Sequence, residues 1–147
     1  MAALTDNTVR LRKNMHLAVR ETLPVKTSAV VYEGSLVSFV EATGRAKAAA
    51  AAAGETFAGV SLEKKTGNAG GTVSVAFIYG HWEQLAAASA LTKAFYGCDV
   101  YAADDDSVST TAVGTAGVRV HVGELVSTIA SSKGWIHIRK RGSKTIP

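Results

Sequence analysis

Thr72-Val73-Ser74-Val75-Ala76-Phe77-Ile78-Tyr79 is the stretch that decides the fold class. Side chains of an extended chain alternate between faces, so Val73, Val75 and Phe77 share one side. A helix would scatter them around its axis. Gly70-Gly71 precedes the run and Gly80 follows it, and turn formers at both ends mark it as a strand. The same period recurs in Val118-Arg119-Val120-His121-Val122-Gly123. It recurs again in Trp135-Ile136-His137-Ile138-Arg139, placing Ile136 and Ile138 inward and His137 and Arg139 outward.

Working outward, further strands are expected at Ala29–Tyr32, Leu36–Val40, Arg45–Ala49, Thr56–Leu62, Trp82–Leu85, Val100–Ala102 and Leu125–Ile129. Glycine and Asn/Asp turn signals separate them at intervals of roughly 8–12 residues, the spacing of an all-β sandwich or barrel. Ala46 to Ala53 has high helix propensity. It spans only about two helical turns between Gly44 and Gly54, too short to hold a helix alone, and reads as a strand of small side chains. One short helix is expected from Ser89 to Gly97, with Ser89 as its cap and Gly97 as its stop. The expected architecture is therefore an all-β, compact β-sandwich or barrel-like domain with one short helix and an extended N-terminal arm.

The chain has 147 residues, of which 47% are hydrophobic and 19% charged, enough apolar surface for one soluble domain with a core of its own. No apolar run approaches the roughly 20 residues that span a bilayer. Residues 1–20 lack the apolar block of a secretory signal. Cys98 is the single cysteine, which excludes an internal disulfide and a zinc ribbon. The net charge of +4 is unevenly placed: +2 over residues 1–24, −3 over 25–132 and +5 over 133–147. Three regions follow: an extended arm (1–24), a β-rich body (25–139) and a basic tail (140–147).

No turn signal interrupts the arm before Pro24. Val9-Arg10-Leu11-Arg12 and Leu17-Ala18-Val19-Arg20 alternate, with the basic residues read as outward and Val9, Leu11, Leu17 and Val19 as one apolar edge. Such an arm either completes its own sheet or adds a strand to a neighbour.

Catalytic and metal chemistry find no pattern. His16, His81, His121 and His137 show no HxxxH or HExxH spacing, and His81 beside Trp82 suggests aromatic packing. Asp104-Asp105-Asp106 lacks the glycine and terminal glutamate of a calcium loop and reads as a polar turn between strands. Cys98, between Gly97 and Asp99, has no catalytic signature and reads as a buried or half-buried structural residue. Gly67 to Gly71 lacks the Lys-Ser/Thr of a phosphate loop and reads as a hairpin loop. No enzyme, cofactor or metal site is expected. A basic tail without interleaved aromatics weighs against nucleic acid and fits a solvated end or an acidic protein surface.

The segment from Thr56 to Ile138 resembles small cement or head-decoration proteins of tailed phages. The resemblance rests on an ordered set of elements: Phe57-Ala58-Gly59-Val60, Leu91-Thr92-Lys93-Ala94, then Gly97-Cys98-Asp99-Val100-Tyr101-Ala102-Ala103-Asp104-Asp105. Thr110-Thr111, Val118 to Gly123 and Lys133-Gly134-Trp135-Ile136-His137-Ile138 complete it. It implies a β-rich subunit on the capsid exterior of a virion, a homotrimer bridging major capsid protein subunits. Under that resemblance the expected contacts are Val9, Leu11, Leu17 and Val19 along the arm, Trp82 as an aromatic anchor, and Arg139, Lys140 and Arg141. Trp135 is read as either core or contact. A tail, spike or adhesion module of a phage particle is the alternative. A DNA-binding head protein and a Cys98 enzyme stand further off.

Overall fold

Short runs of β-branched and aromatic residues, each closed by a turn former, pair into sheets because no single run can bury its apolar face alone. A computed structural model describes residues 4–8, 10–50, 54–114 and 117–139. The first half of the chain forms β1 (Arg12–Lys13), β2 (Val19–Pro24), β3 (Val30–Val31), β4 (Leu36–Val40) and β5 (Arg45–Ala48). It continues with β6 (Glu55–Ser61), β7 (Lys65–Thr66) and β8 (Ser74–Tyr79). The second half forms β9 (Trp82–Ala87), β10 (Asp99–Ala102), β11 (Ser107–Ser109), β12 (Val113–Gly114), β13 (Gly117–Val118), β14 (His121–Ala130) and β15 (Lys133–Ile138). The protein is all-β.

Two curled sheets share one core. The first runs in the order β2-β8-β6-β4-β5 with every pairing antiparallel. It curls until Val25, just past β2, bridges Ala46 of β5, where the Lys26 amide donates to the Ala46 carbonyl at 2.8 Å. The second runs β9-β11-β10-β14-β15, and β15 pairs back onto β9 from Lys133↔Ala86 to His137↔Trp82. That ring is a closed five-stranded barrel, and closure removes the unpaired edges that invite aggregation. The turn at Gly80 between β8 and β9 carries the chain from one sheet to the other. Phe57, Phe77 and Leu36 fill the first sheet and Leu85, Leu125, Ile136 and Ile138 the second, within one continuous cluster.

Several elements differ from the sequence reading. Ser89–Gly97 is not a helix but a single 3-10 turn at Lys93–Phe95, entered through an extended Thr92. Buried Leu91, whose amide donates to Ser131 O at 2.7 Å, pins the segment before a helix can nucleate. Arg45–Ala48 is a strand as expected, while 51–53 lie outside the described residues. Val118 is 57% exposed, on a two-stranded hairpin rather than on the inward face with Val120 and Val122. Gly67 to Gly71 joins strands of different sheets instead of closing a hairpin, because β7 pairs with β3 and β8 with β2 and β6. Cys98 is exposed, since its backbone, not its side chain, makes the local bonds to Phe95 and Leu125.

Gly123 sits where β10, β14 and β15 crowd together, beside the register shift between Val100 and Tyr101. A Cβ there would collide with the His137 carbonyl of β15. Gly123→Ala should therefore destabilise the fold by about 1–3 kcal/mol. Gly70→Ala, with only Thr72 Cγ2 near its added carbon, should change stability by under about 0.5 kcal/mol. Urea unfolding of both variants checks the pair; equal midpoints would remove the crowding argument.

Candidate partner-binding face

The alternation in β9 puts Glu83, Leu85 and Ala87 on the inward side of the strand. Glu83 is thus a carboxylate with no solvent exposure. A buried charge is tolerated only when paired and hydrogen-bonded, and three groups converge on this one. Arg12 Nε donates to Oε1 at 2.7 Å, and His81 Nε2 lies 2.7 Å from the same oxygen. Arg10 Nη1 stands 3.9 Å from Oε2. The Arg10 guanidinium also donates to the Gly34 carbonyl and the Asp106 carboxylate, and its side chain is 8% exposed.

Arg10 and Arg12 therefore point inward, the reverse of the sequence reading. The period of two is right and its phase is inverted by the buried acid. Leu11, between them, faces solvent with 65% exposure, and its carbonyl accepts from the Gln84 amide at 3.0 Å. Asn14 then takes a left-handed conformation and opens the 3-10 turn Met15–Leu17, in which Met15, His16 and Leu17 are all exposed. The Leu17 carbonyl packs on Gly80, where a Cβ would fall 2.5 Å away and where φ is +96°. Only glycine admits both. Val19 then enters β2 opposite Tyr79. The outcome is a row of exposed apolar side chains, Leu11, Met15, Leu17 and Val19, on a segment tied into both sheets.

The tie extends upstream. The Leu4 amide donates to Asp105 Oδ1 at 2.8 Å, and Ser35 Oγ donates to Oδ2 at 3.0 Å. The Thr8 amide donates to Glu33 O, and the Glu33 amide to Asn7 Oδ1. Burial pushes the Asp105 carboxyl above its ordinary range, against the lowering effect of those two hydrogen bonds. Beside Leu11 opens a recess of about 300 Å³, lined by Thr8, Arg10, Leu11, Gln84, Ala86, Asp106 and Lys133.

Of the residues expected to make contacts, Leu11, Leu17 and Val19 are exposed along this segment, and Met15 joins them unanticipated. The question left open by the arm is answered within the chain: β1 pairs with β9 and β2 with β8. Trp82 is half-buried at the start of β9. Trp135 belongs to the fold, 8% exposed under the Lys13 ammonium, which stands 4.4 Å from its ring centroid. Arg139, just past β15, is exposed and pairs with Glu124, an ion pair of small energetic weight. Val9, Lys140 and Arg141 lie outside the described residues.

Elsewhere the charged groups have local duties. Asp104 Oδ1 accepts from the Asp106 and Ser107 amides and closes the turn between β10 and β11. His121 Nε2 lies 3.0 Å from Asp99 Oδ1 at the surface. Among the described residues no three His, Cys, Asp or Glu side chains converge as a metal site, and no helix is long and apolar enough to cross a membrane. Comparison with protein-family models, with curated proteins and with solved structures finds no match.

The buried cluster was detectable in principle. Leu85 and Ala87 inward on β9 place Glu83 inward too, and two arginines spaced by two are the matching pattern on a neighbouring strand.

The buried carboxylates Glu83 and Asp105 each give a prediction. Glu83→Ala leaves Arg12 and His81 without their carboxylate and should cost about 3–5 kcal/mol of unfolding free energy, measured by urea titration. A loss under about 1 kcal/mol would show that the acid does not anchor the segment. Asp105→Asn keeps an acceptor for Leu4 and removes a buried charge, so at neutral pH it should match or exceed the parent in stability. Asp105's raised carboxyl gains relative stability by binding a proton, fully so below the unperturbed value of 3.8 and lost as pH rises through the folded value. The variant's advantage should therefore shrink as pH falls from 7 toward 4. A growing advantage would contradict the sign.

Proposed function

We propose that the chain is a non-enzymatic structural protein that decorates the exterior of a tailed-phage capsid and stabilises the shell by bridging major capsid protein subunits. The observation that carries a docking role is the row Leu11, Met15, Leu17 and Val19, each 45–65% exposed on a segment held by buried ion pairs. Water-facing apolar side chains on a rigid backbone are what a partner surface can cover at little entropic cost. The capsid as the place of docking comes from the resemblance of the ordered elements between Thr56 and Ile138 to head-decoration proteins.

The task matches the architecture. A subunit that cements a lattice has to resist deformation, present a preset face and carry no labile chemistry. A closed barrel sharing its core with a second curled sheet supplies the stiffness. Assembly as a homotrimer would let each copy touch a different capsid subunit, and neither cofactor nor membrane is required.

Quantitative mass spectrometry of purified particles tests this reading. The expected result is a copy number comparable to that of the major capsid protein, together with loss of binding to stripped shells on Leu17→Asp. A few copies per particle would favour a tail, spike or adhesion module instead. Complete absence from particles would overturn the virion reading.

A further inference from the structure

The charges around the apolar row constrain what covers it. Between Asn7 and Arg20 the chain contains no acid. Arg10 and Arg12 are neutralised internally by Glu83 and Asp106. Lys13, Arg20 and Lys133 are exposed, and none of them has a carboxylate partner among the described residues. Lys13 and Arg20 flank the Met15–Leu17 turn in the chain. Lys133 lines the recess of about 300 Å³ that also borders Leu11. The exposed cations nearest these apolar residues in the chain, and Lys133 in the recess, thus lack a carboxylate partner, while the acid that lines the recess, Asp106, is already paired with Arg10.

We infer that this face takes an extended protein segment in which acidic residues alternate with apolar ones, with one acidic side chain entering the recess to meet Lys133. The inference rests on the reading of this face as a docking surface. The apolar residues of the segment cover Leu11, Met15, Leu17 and Val19, and its acids offset Lys13, Arg20 and Lys133. The recess is several times the volume of a water molecule (about 30 Å³ in the liquid) and has room for an aspartate or glutamate side chain. A second copy of this chain docked face to face would bring the same cations against each other, and like charges across an interface cost several kcal/mol. Nucleic acid would gain no aromatic platform from the four apolar side chains, since none is a ring. A membrane surface is usually met by an amphipathic helix, and the row here lies on strands and a single 3-10 turn.

The test places a photoreactive benzophenone side chain at Leu17 of the full-length protein, in the particles or cells that contain it, and maps the crosslinked product by mass spectrometry. The crosslinked segment is then synthesised as two peptides, one with its acids intact and one with each acid changed to its amide. The expected result is a segment of alternating acidic and apolar residues. Its acid form should bind the full chain at least about tenfold more tightly than the amide form at low salt, and Arg20→Glu with Lys133→Glu should remove that difference. Circular dichroism and urea midpoints of the double variant show that it remains folded. A crosslink to another copy of this chain, to lipid or to nucleic acid overturns the inference, as does no crosslink, or equal binding of the two peptides. An acidic segment from a protein other than a capsid subunit supports the inference and sinks the capsid reading. A capsid subunit captured through a segment without acids does the reverse.

Discussion

A carboxylate with no access to water, Glu83, sets the orientation of the segment from Arg10 to Arg12. Its charge must be met within the protein, and the groups that meet it are His81 two residues earlier and the arginines of the N-terminal segment. An ion pair of this kind adds little stability over a well-packed apolar substitute, but removing one member is expensive. What it supplies is direction. With Arg10 and Arg12 committed inward, the backbone between them has no choice of face, and Leu11 stands in solvent. A one-residue slip would bury Leu11 and expose both guanidiniums, leaving Glu83 alone in the core.

The clamp works because its other half is rigid. Glu83 belongs to β9, the strand that β15 closes upon and that the turn at Gly80 connects to the first sheet. On the opposite edge of β9, β1 meets Trp82 and Glu83 while β11 meets Ala86 and Ala87 in parallel. The two strands lie end to end, and the recess borders Gln84 and Ala86, where neither covers β9 completely. Asp105 and Asp106 on the β10–β11 turn reach back to Leu4 and Arg10. The N-terminal segment is therefore bonded to elements far apart in sequence.

Much of the body was legible because its signals are local. Val75 and Phe77, Ile136 and Ile138, and the turn at Asp104 all follow from alternation and turn chemistry, and the structure places them as read. Two kinds of information were not local. The turn at Lys93–Phe95 replaced a helix because Leu91 is captured by Ser131, a contact that no window around residue 91 contains. The inverted phase of Arg10, Leu11 and Arg12 depended on an acid 71 residues away from Arg12. Hydrophobicity alone puts leucine inward and arginine outward, and only the partner on β9 reverses that preference.

That reversal carries the functional argument. An exposed leucine in isolation means little on any protein surface. Leu11 stands in solvent between two arginines that turn inward onto a buried acid, so buried charge is what holds it outside. A sequence under pressure for stability alone would bury Leu11 and leave Arg10 and Arg12 in water, where they need no partner. A rigid, water-facing row loses little conformational entropy when covered, so contacts made there convert efficiently into affinity. The arrangement thus links the core to the surface: Glu83 holds Arg10 and Arg12 inward, and Leu11 between them faces solvent.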